Sequence, residues 1–161
     1  MNEQERMEQC CCFTGHRDIP SEDREALRKR LWGTLDTLIG QGVCYFAAGG
    51  ARGFDTLAAQ TVLALKKQHP HIRLILVLPC KDQTRGWKRE EIAEYQAVLQ
   101  QADKIVWLAE RYYTGCMHVR NRRLVDNAAV CVCYHKYAVG GTAYTVGYAR
   151  EKKRRIINVA L

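Results

Sequence analysis

The chain has 161 residues and a formal net charge of +8, with 47% hydrophobic and 26% charged residues. This length suits one domain with its own core, and the composition excludes a disordered or collagen-like chain. No apolar run approaches the ~20 residues that a membrane span requires, and the polar, acidic segment 1–9 is not a secretory signal. We therefore expect a soluble cytoplasmic protein that does not associate with membranes. Residues 10–161 are expected to form the domain and residues 1–9 a polar extension.

Six short apolar runs alternate with helical patterns along the chain. The predicted strands are 10–15, 43–48, 72–79, 103–109, 129–134 and 155–159. Helical patterns between them begin near Ser21, with Leu27, Leu31, Leu35 and Leu38 as an apolar stripe, and continue at 54–65, 88–101, 117–127 and 142–153. Continuous apolar runs are typical of strands that are covered on both faces. The alternation predicts a single α/β domain of the Rossmann-like type, with a mostly parallel sheet of about six strands and helices on both faces.

The positive charge is concentrated in the second half of the chain. Residues 1–80 hold 10 Lys and Arg against 9 Asp and Glu, whereas residues 81–161 hold 15 against 8. A basic half favours anionic partners such as nucleotide phosphates or nucleic acid, and a basic solvated surface is an equally good interpretation. The densest run, at 150–155, lies at the end of a predicted helix, where cations complement the helix dipole.

The 8 cysteines do not have the spacing of a disulfide framework or of a zinc site. Cys10, Cys11 and Cys12 are consecutive within a predicted strand, and no paired CxxC motifs occur. We expect the cysteines to be small buried hydrophobic residues in a reducing compartment. We predict neither a metal site nor a cofactor.

The candidate site residues follow the predicted strands at one edge of the sheet. In an open parallel sheet, ligands bind beyond the carboxyl ends of the strands, near the point where the strand order reverses. The residues expected there are Thr14, Gly15 and Arg17 after the first strand, Gly49, Gly50, Arg52 and Asp55 after the second, Glu110 after the fourth, Arg120 and Asn121 in the next helix, and Gly140, Gly141 and Thr142 after the fifth.

The residue types at this edge indicate a nucleotide-type ligand. Two glycine-rich turns lead from strands into helices, where a phosphate can approach the backbone and the free N–H groups of a helix N-terminus. Arginine guanidinium groups bind phosphate through two parallel hydrogen bonds. Neither turn has the GxGxxG spacing and the chain has no GxxxxGK[ST] motif, which disfavours a common NAD enzyme and a P-loop ATPase. The irregular segment 80–87 follows a strand and is positioned to fold over such a site.

Four stretches at these positions have a familiar order: FTGHR at 13–17, GGARGFD at 49–55, RNRRLVD at 120–126 and GGTAY at 140–144. Together they resemble the YpsA-like branch of the SLOG superfamily, which groups the Smf/DprA DNA-processing proteins with the LOG (Lonely Guy) phosphoribohydrolases. The likeness extends from about residue 10 to residue 160. It implies a Rossmann-like fold and a pocket for a nucleotide or nucleotide-derived ligand, and it admits a homodimer.

The chain departs from the phosphoribohydrolases at the motif that acts on the ribose. The hydrolases carry PGGxGTxxE, whereas this chain, aligned on its second glycine turn, has Val139 for the proline and Gly147 for the glutamate. The MHxR stretch in which the hydrolases place a functional arginine is kept at 117–120. Without the glutamate, general acid–base help and stabilisation of an oxocarbenium-like ribose are missing from the expected place. The remaining candidates for catalysis are Asp55, Glu110 and Arg120.

Three functional hypotheses follow. The first is a sensor or binding protein that holds a nucleotide or nucleotide-derived ligand without fast turnover. The second is an N-glycosidase acting on a nucleoside monophosphate, with Asp55 or Glu110 essential. The third is a single-stranded DNA-binding protein of the DNA-processing type, favoured by the basic second half and the RNRR run at 120–123. The missing glutamate places the first hypothesis ahead and leaves open whether the protein is an enzyme.

Overall fold

A computed structural model describes residues 1–160 of the chain. Its six strands are β1 (Cys10–Gly15), β2 (Tyr45–Ala48), β3 (Arg73–Leu78), β4 (Lys104–Trp107), β5 (Val130–Tyr134) and β6 (Arg155–Asn158). Its six α-helices are α1 (Glu3–Glu8), α2 (Arg24–Gly40), α3 (Phe54–Lys66), α4 (Arg89–Gln101), α5 (Cys116–Asp126) and α6 (Gly141–Glu151). Within residues 1–160, no helix has both the length and the apolar character needed to cross a membrane.

All neighbouring strands are parallel, in the order β4-β3-β2-β1-β5-β6. The chain builds outward from β1 to β4 on one side, then crosses to β5 and builds outward on the other. The strand order therefore reverses between β1 and β5, and a crevice is expected at their carboxyl ends. The predicted Rossmann-like α/β domain with a six-stranded parallel sheet is confirmed.

Helices cover both faces of the sheet. Helices α2, α3 and α4 pack on one face, where the leucine stripe of α2 and the rings of Phe13, Phe46 and Phe54 form the larger core. Helices α5 and α6 pack on the other face, against a smaller core that includes Cys10 and Cys12 of β1. Strand side chains alternate between these two cores, which is why neighbouring residues of the apolar runs are buried on opposite sides.

Most cysteines act as small core residues. Seven of the eight are buried, Cys44 is half-buried, and none forms a disulfide within the described part of the chain. Burial raises the pKa of the Cys10 and Cys133 thiols to about 12, so both remain neutral at physiological pH. Neutral buried thiols contribute packing and little reactivity.

The structure adds detail at two of the predicted segments. The helix expected from Ser21 begins with a 3₁₀ turn at Ser21–Asp23, which is wound more tightly than an α-helix, and α2 follows from Arg24. Segment 1–9 contains the short helix α1, whose start is capped by Asn2. The carbonyl of Met7 accepts the N–H of Ala129 at 2.9 Å, which joins the extension to the sheet.

Candidate functional site

A cleft of about 490 Å³ lies at the carboxyl ends of β1 and β5. We call it the main cleft. It is bounded by the loop after β1, the start of α3, the first half of α5 and the start of α6. Its lining residues are Thr14, Gly15, His16, Arg17, Asp18, Ala51, Asp55, Met117, His118, Arg120, Asn121, Tyr137, Gly141 and Thr142. The volume lies in the range of small-molecule sites.

The structure brings most of the predicted site residues together and leaves five outside. Those in the main cleft are Thr14, Gly15, Arg17, Asp55, Arg120, Asn121, Gly141 and Thr142. Gly49, Gly50, Arg52, Gly140 and Glu110 do not line it. Both glycine turns nevertheless contribute to the same cleft, the first through Asp55 and the second through Gly141 and Thr142.

Gly49 and Gly50 serve the packing beneath the main cleft. A Cβ at Gly49 would lie 2.7 Å from the guanidinium of Arg120, and a Cβ at Gly50 would lie 2.3 Å from Leu78 Cδ2. The carbonyl of Gly49 accepts a hydrogen bond from Arg120 Nη1. These glycines thus make room for protein side chains, and the close approach of a phosphate to this turn stays a prediction.

The loops after β1 and β2 interlock. The carbonyl of His16 accepts the N–H of Phe54 at 3.1 Å, and Arg52 Nη1 pairs with Asp18 Oδ1 at 2.9 Å. At Gly53, φ is +81°, and a Cβ there would lie 2.1 Å from the carbonyl oxygen of Arg17. The lack of a side chain at Gly53 therefore lets the two loops form one wall of the main cleft.

Arg120 is a buried cation held by protein atoms. Its side chain is 3% exposed; Nε donates to Asn121 Oδ1 at 2.7 Å, and Nη2 lies 3.7 Å from Met117 Sδ. Burial lowers the pKa of Arg120, and the nearby carboxylate of Asp55 opposes that effect. Of the five N–H donors of a guanidinium, these contacts and the bond to Gly49 use three. The other two N–H groups make no recorded hydrogen bond within residues 1–160.

Asp55 is the buried carboxylate of the main cleft. It is 6% exposed in the first turn of α3, and its Oδ2 accepts the N–H of Ala51 at 3.2 Å. Burial raises the pKa of Asp55, while Arg120, the Ala51 N–H and Arg17 lower it without cancelling the effect of burial. The folded protein therefore favours the neutral form of this carboxyl group more than water does.

We expect Asp55→Asn to change the pH dependence of stability. Because the folded-state pKa of Asp55 is raised, its protonated form stabilises the fold below the unfolded-state pKa of about 4, and this contribution is lost as pH rises through the folded-state pKa. Asparagine stays neutral, so the margin, defined as the free energy of unfolding of the variant minus that of the parent, should increase from pH 4 to pH 7. Denaturant unfolding at several pH values measures this margin. Glu110→Gln, which alters an exposed carboxylate, is the control, and a margin that shrinks with pH would contradict the assignment.

The start of α6 forms the opposite wall of the main cleft. Gly140 precedes the helix, and Gly141 and Thr142 begin it. The N–H groups of a first helical turn have no partner within the helix and carry the positive end of its dipole. A Cβ at Gly141 would meet no atom within 4 Å, so this part of the wall is open. The hydroxyl of Thr145 donates a hydrogen bond to the Gly141 carbonyl at 2.9 Å and fixes the turn.

Two predicted residues lie elsewhere on the same edge. Arg52 pairs with Asp18, and its Nη1 is 3.7 Å from Glu91 Oε2, in a neighbouring groove. Glu110 is largely exposed and pairs with Lys81 at 3.1 Å. It follows β4, the edge strand, so β3 and β2 separate its strand from β1.

Sequence reasoning missed several cleft residues. Tyr137 lies on the loop after β5, with its ring centroid 4.7 Å from that of His16. The Nε2 of His16 accepts the N–H of Lys136 at 2.8 Å, which ties the β5 loop to the β1 loop. Burial lowers the pKa of His16, and neighbouring His135 and Lys136 add to the effect, so the neutral acceptor form is favoured. The position of His16 directly after β1 is a sequence signal that it lies at the functional edge, whereas no sequence pattern indicates a place in the cleft for Tyr137.

The dense basic run at 150–155 lies at the opposite edge of the sheet, because α6 starts at the main cleft and ends at Glu151. Arg154 donates to the carbonyls of Val125 at 3.0 Å and Asp126 at 3.3 Å, and so caps the end of α5. Part of the charge that suggested an anionic partner is therefore structural.

Comparison with known sequences identifies relatives over nearly the whole chain. The YpsA family model, described as the YspA SLOG family, matches residues 12–159. YoqJ, an uncharacterized SPbeta prophage-derived protein of Bacillus subtilis, is 29% identical over 138 residues, which are 78% of this chain and 81% of YoqJ. The UPF0398 protein BH1768 of Halalkalibacterium halodurans is 30% identical over 121 residues, 73% of this chain and 64% of the relative.

Solved structures share the fold at low sequence identity. DNA processing protein A of Helicobacter pylori, described with a single-stranded DNA binding mode, superposes with a TM-score of 0.67 at 18% identity, over 93% of this chain and 64% of that one. The structural-genomics target TM1055 superposes with a TM-score of 0.60 at 19% identity, over 92% of this chain and 72% of that one. The fold, the order of the motifs and the family match agree, and the chain belongs to the YpsA branch of the SLOG superfamily.

Proposed function

We propose that the protein binds a nucleotide or nucleotide-derived ligand in the main cleft, as a sensor or binding protein without fast turnover. The observation that supports this proposal is the presence of two anion-binding groups on opposite walls of the main cleft. Arg17 stands on one wall and makes no ion pair within the described residues, and the open N-terminus of α6 stands on the other. Both are groups that bind phosphate.

The inner surface of the main cleft suits the sugar end of such a ligand. Thr14 and Thr142 are buried and line the cleft, and Asp55 adds a carboxylate that has one oxygen bonded to Ala51. Hydroxyl and carboxyl groups in a cleft of this size can orient the hydroxyls of a ribose. Position 147, which aligns with the hydrolase glutamate, is glycine, and this supports binding in preference to cleavage.

We expect nucleoside 5′-monophosphates to bind and the matching nucleosides to bind far more weakly, as measured by titration calorimetry. Arg17→Ala should weaken monophosphate affinity about tenfold, the scale of one charge-assisted hydrogen bond. Gly141→Val should weaken it further, because its side chain would occupy the open wall where the phosphate approaches. Arg150→Ala, which removes a positive charge at the opposite edge, is the control and should leave the affinity unchanged.

The same samples decide between binding and hydrolysis. Chromatography of the titrated mixtures should recover intact monophosphate. Release of free base would identify an N-glycosidase, with Asp55 as the cleft carboxylate to test. Equal affinity for nucleosides and monophosphates would overturn the phosphate assignment.

A cytoplasmic location is part of the proposal. The eight cysteines are free in the described part of the chain, and seven of them are buried. Proteins of reducing compartments keep such thiols unpaired.

A further inference from the structure

A second cleft of about 430 Å³ adjoins the main cleft, and Arg17 and Met117 line both. We call it the side cleft. The irregular segment 80–87 supplies Gln83 and Trp87 to its lining, and the loop after β4 supplies Tyr112. The two clefts thus lie side by side at the edge of the sheet, with Arg17, which makes no ion pair within residues 1–160, in the lining of both.

Specific contacts hold the side cleft in shape. Asp82 Oδ1 accepts the N–H of Tyr112 at 2.8 Å and joins the two loops. The ring of Trp87 meets that of Tyr95 edge-on, with centroids 5.5 Å apart, and Gln83 Nε2 donates to the Tyr95 hydroxyl at 3.1 Å. A site anchored in this way loses little conformational entropy when a ligand enters it.

The lining of the side cleft presents flat aromatic rings beside the guanidinium of Arg17. Tyr112 is 57% exposed, beside the half-buried Trp87. Gln83 is 6% exposed and its Oε1 has almost no accessible surface, so this residue supports the lining and does not offer an acceptor to a ligand. Heteroaromatic bases offer a face that stacks on exposed aromatic rings.

We propose that the side cleft accepts the second nucleoside of a ligand in which two nucleosides are joined through phosphate. The first nucleotide occupies the main cleft, so the inference rests on the proposed function. Arg17 then lies where the linking phosphate passes from one cleft to the other. Two sources have this chemistry: a single-stranded nucleic acid, with 3′,5′ linkage, and a dinucleotide with a 5′,5′ diphosphate linkage.

Titration calorimetry with two single nucleotides, dAMP and AMP, and two two-nucleoside probes, the 5′-phosphorylated dinucleotide pdApdA and di(adenosine-5′) diphosphate, tests the proposal. At least one two-nucleoside probe should bind tenfold or more tightly than the single nucleotide with the same sugar. Tyr112→Ala should remove most of that gain and leave dAMP affinity unchanged, because Tyr112 lies outside the main cleft. Tyr113→Ala is the matched control: its side chain is 46% exposed and does not line the side cleft. Circular dichroism verifies that each variant is folded.

The outcomes separate the two proposals. If dAMP binds and neither two-nucleoside probe gains affinity, the side cleft proposal fails and the proposed function stands. The side cleft proposal also fails if Tyr112→Ala and Tyr113→Ala reduce the gain equally. If no probe binds, the proposed function fails with it. A gain for pdApdA alone identifies the nucleic-acid source, and a gain for the diphosphate alone identifies the dinucleotide source.

Discussion

Arg120→Ala is expected to lower the free energy of unfolding by about 3 kcal/mol, because it removes the charge-assisted hydrogen bonds to Gly49 and Asn121, each worth about 1.5–3 kcal/mol. The substitution leaves the buried carboxyl group of Asp55 without its nearby cation and the carbonyl of Gly49 without its donor. It also opens a void next to the backbone of Gly49, which lies against the guanidinium. Denaturant unfolding at pH 7 measures the loss.

The double variant Arg120→Ala, Asp55→Asn should recover part of this loss, because the neutral amide no longer needs a nearby cation. Arg120→Lys should recover less of the lost stability than the double variant does, since one ammonium group cannot reach Gly49, Asn121 and Met117 together. If the free energy of unfolding of Arg120→Ala lies within about 0.5 kcal/mol of that of the parent, which is the range of ordinary surface substitutions, Arg120 has no structural role.

Gly53→Ala is expected to destabilise the fold by about 3 kcal/mol or more. A side chain at φ +81° is strained, and the new methyl group would lie 2.1 Å from the backbone oxygen of Arg17. Backbone cannot rotate aside as a side chain can, so the β1 and β2 loops must separate. Thermal and denaturant unfolding should show the loss even without a ligand.

The matched variant is Gly141→Val, at a glycine with nothing within 4 Å of its Cβ position. It should unfold close to the parent while losing nucleotide affinity, whereas Gly53→Ala should lose stability even without a ligand. Equal stability of Gly53→Ala and Gly141→Val would show that the two loops do not depend on their contact.

The sheet and its functional edge could be predicted because each depends on local pattern. Strand β5 is an unbroken buried run of apolar residues, which only a strand covered on both faces accommodates. The carboxyl ends of parallel strands share one edge, so Thr14, Asp55 and Thr142 converge once the strands are parallel. This part of the site needed no knowledge of tertiary contacts.

The rest of the site depends on partners that are distant in the chain. The space beside Gly49 is filled by Arg120, which follows it by 71 residues, and no local pattern indicates which group will occupy it. Glu110 follows a strand like the other candidates, but β4 lies at the sheet edge, away from the reversal of strand order. Tyr137 belongs to a loop without periodicity, so only its contacts in the folded structure, such as that with His16, show that it lines the main cleft.

The interlocked loops after β1 and β2 give the two sides of the main cleft unequal freedom to move. The β1–β2 side is stiff, because backbone packs on backbone at Arg17 and Gly53. The loop from Lys136 to Gly140 is exposed and is joined to the other side through the His16–Lys136 hydrogen bond. Adjustment to ligands of different shape is therefore expected as a hinged displacement of the β5 side, about a stationary β1–β2 side.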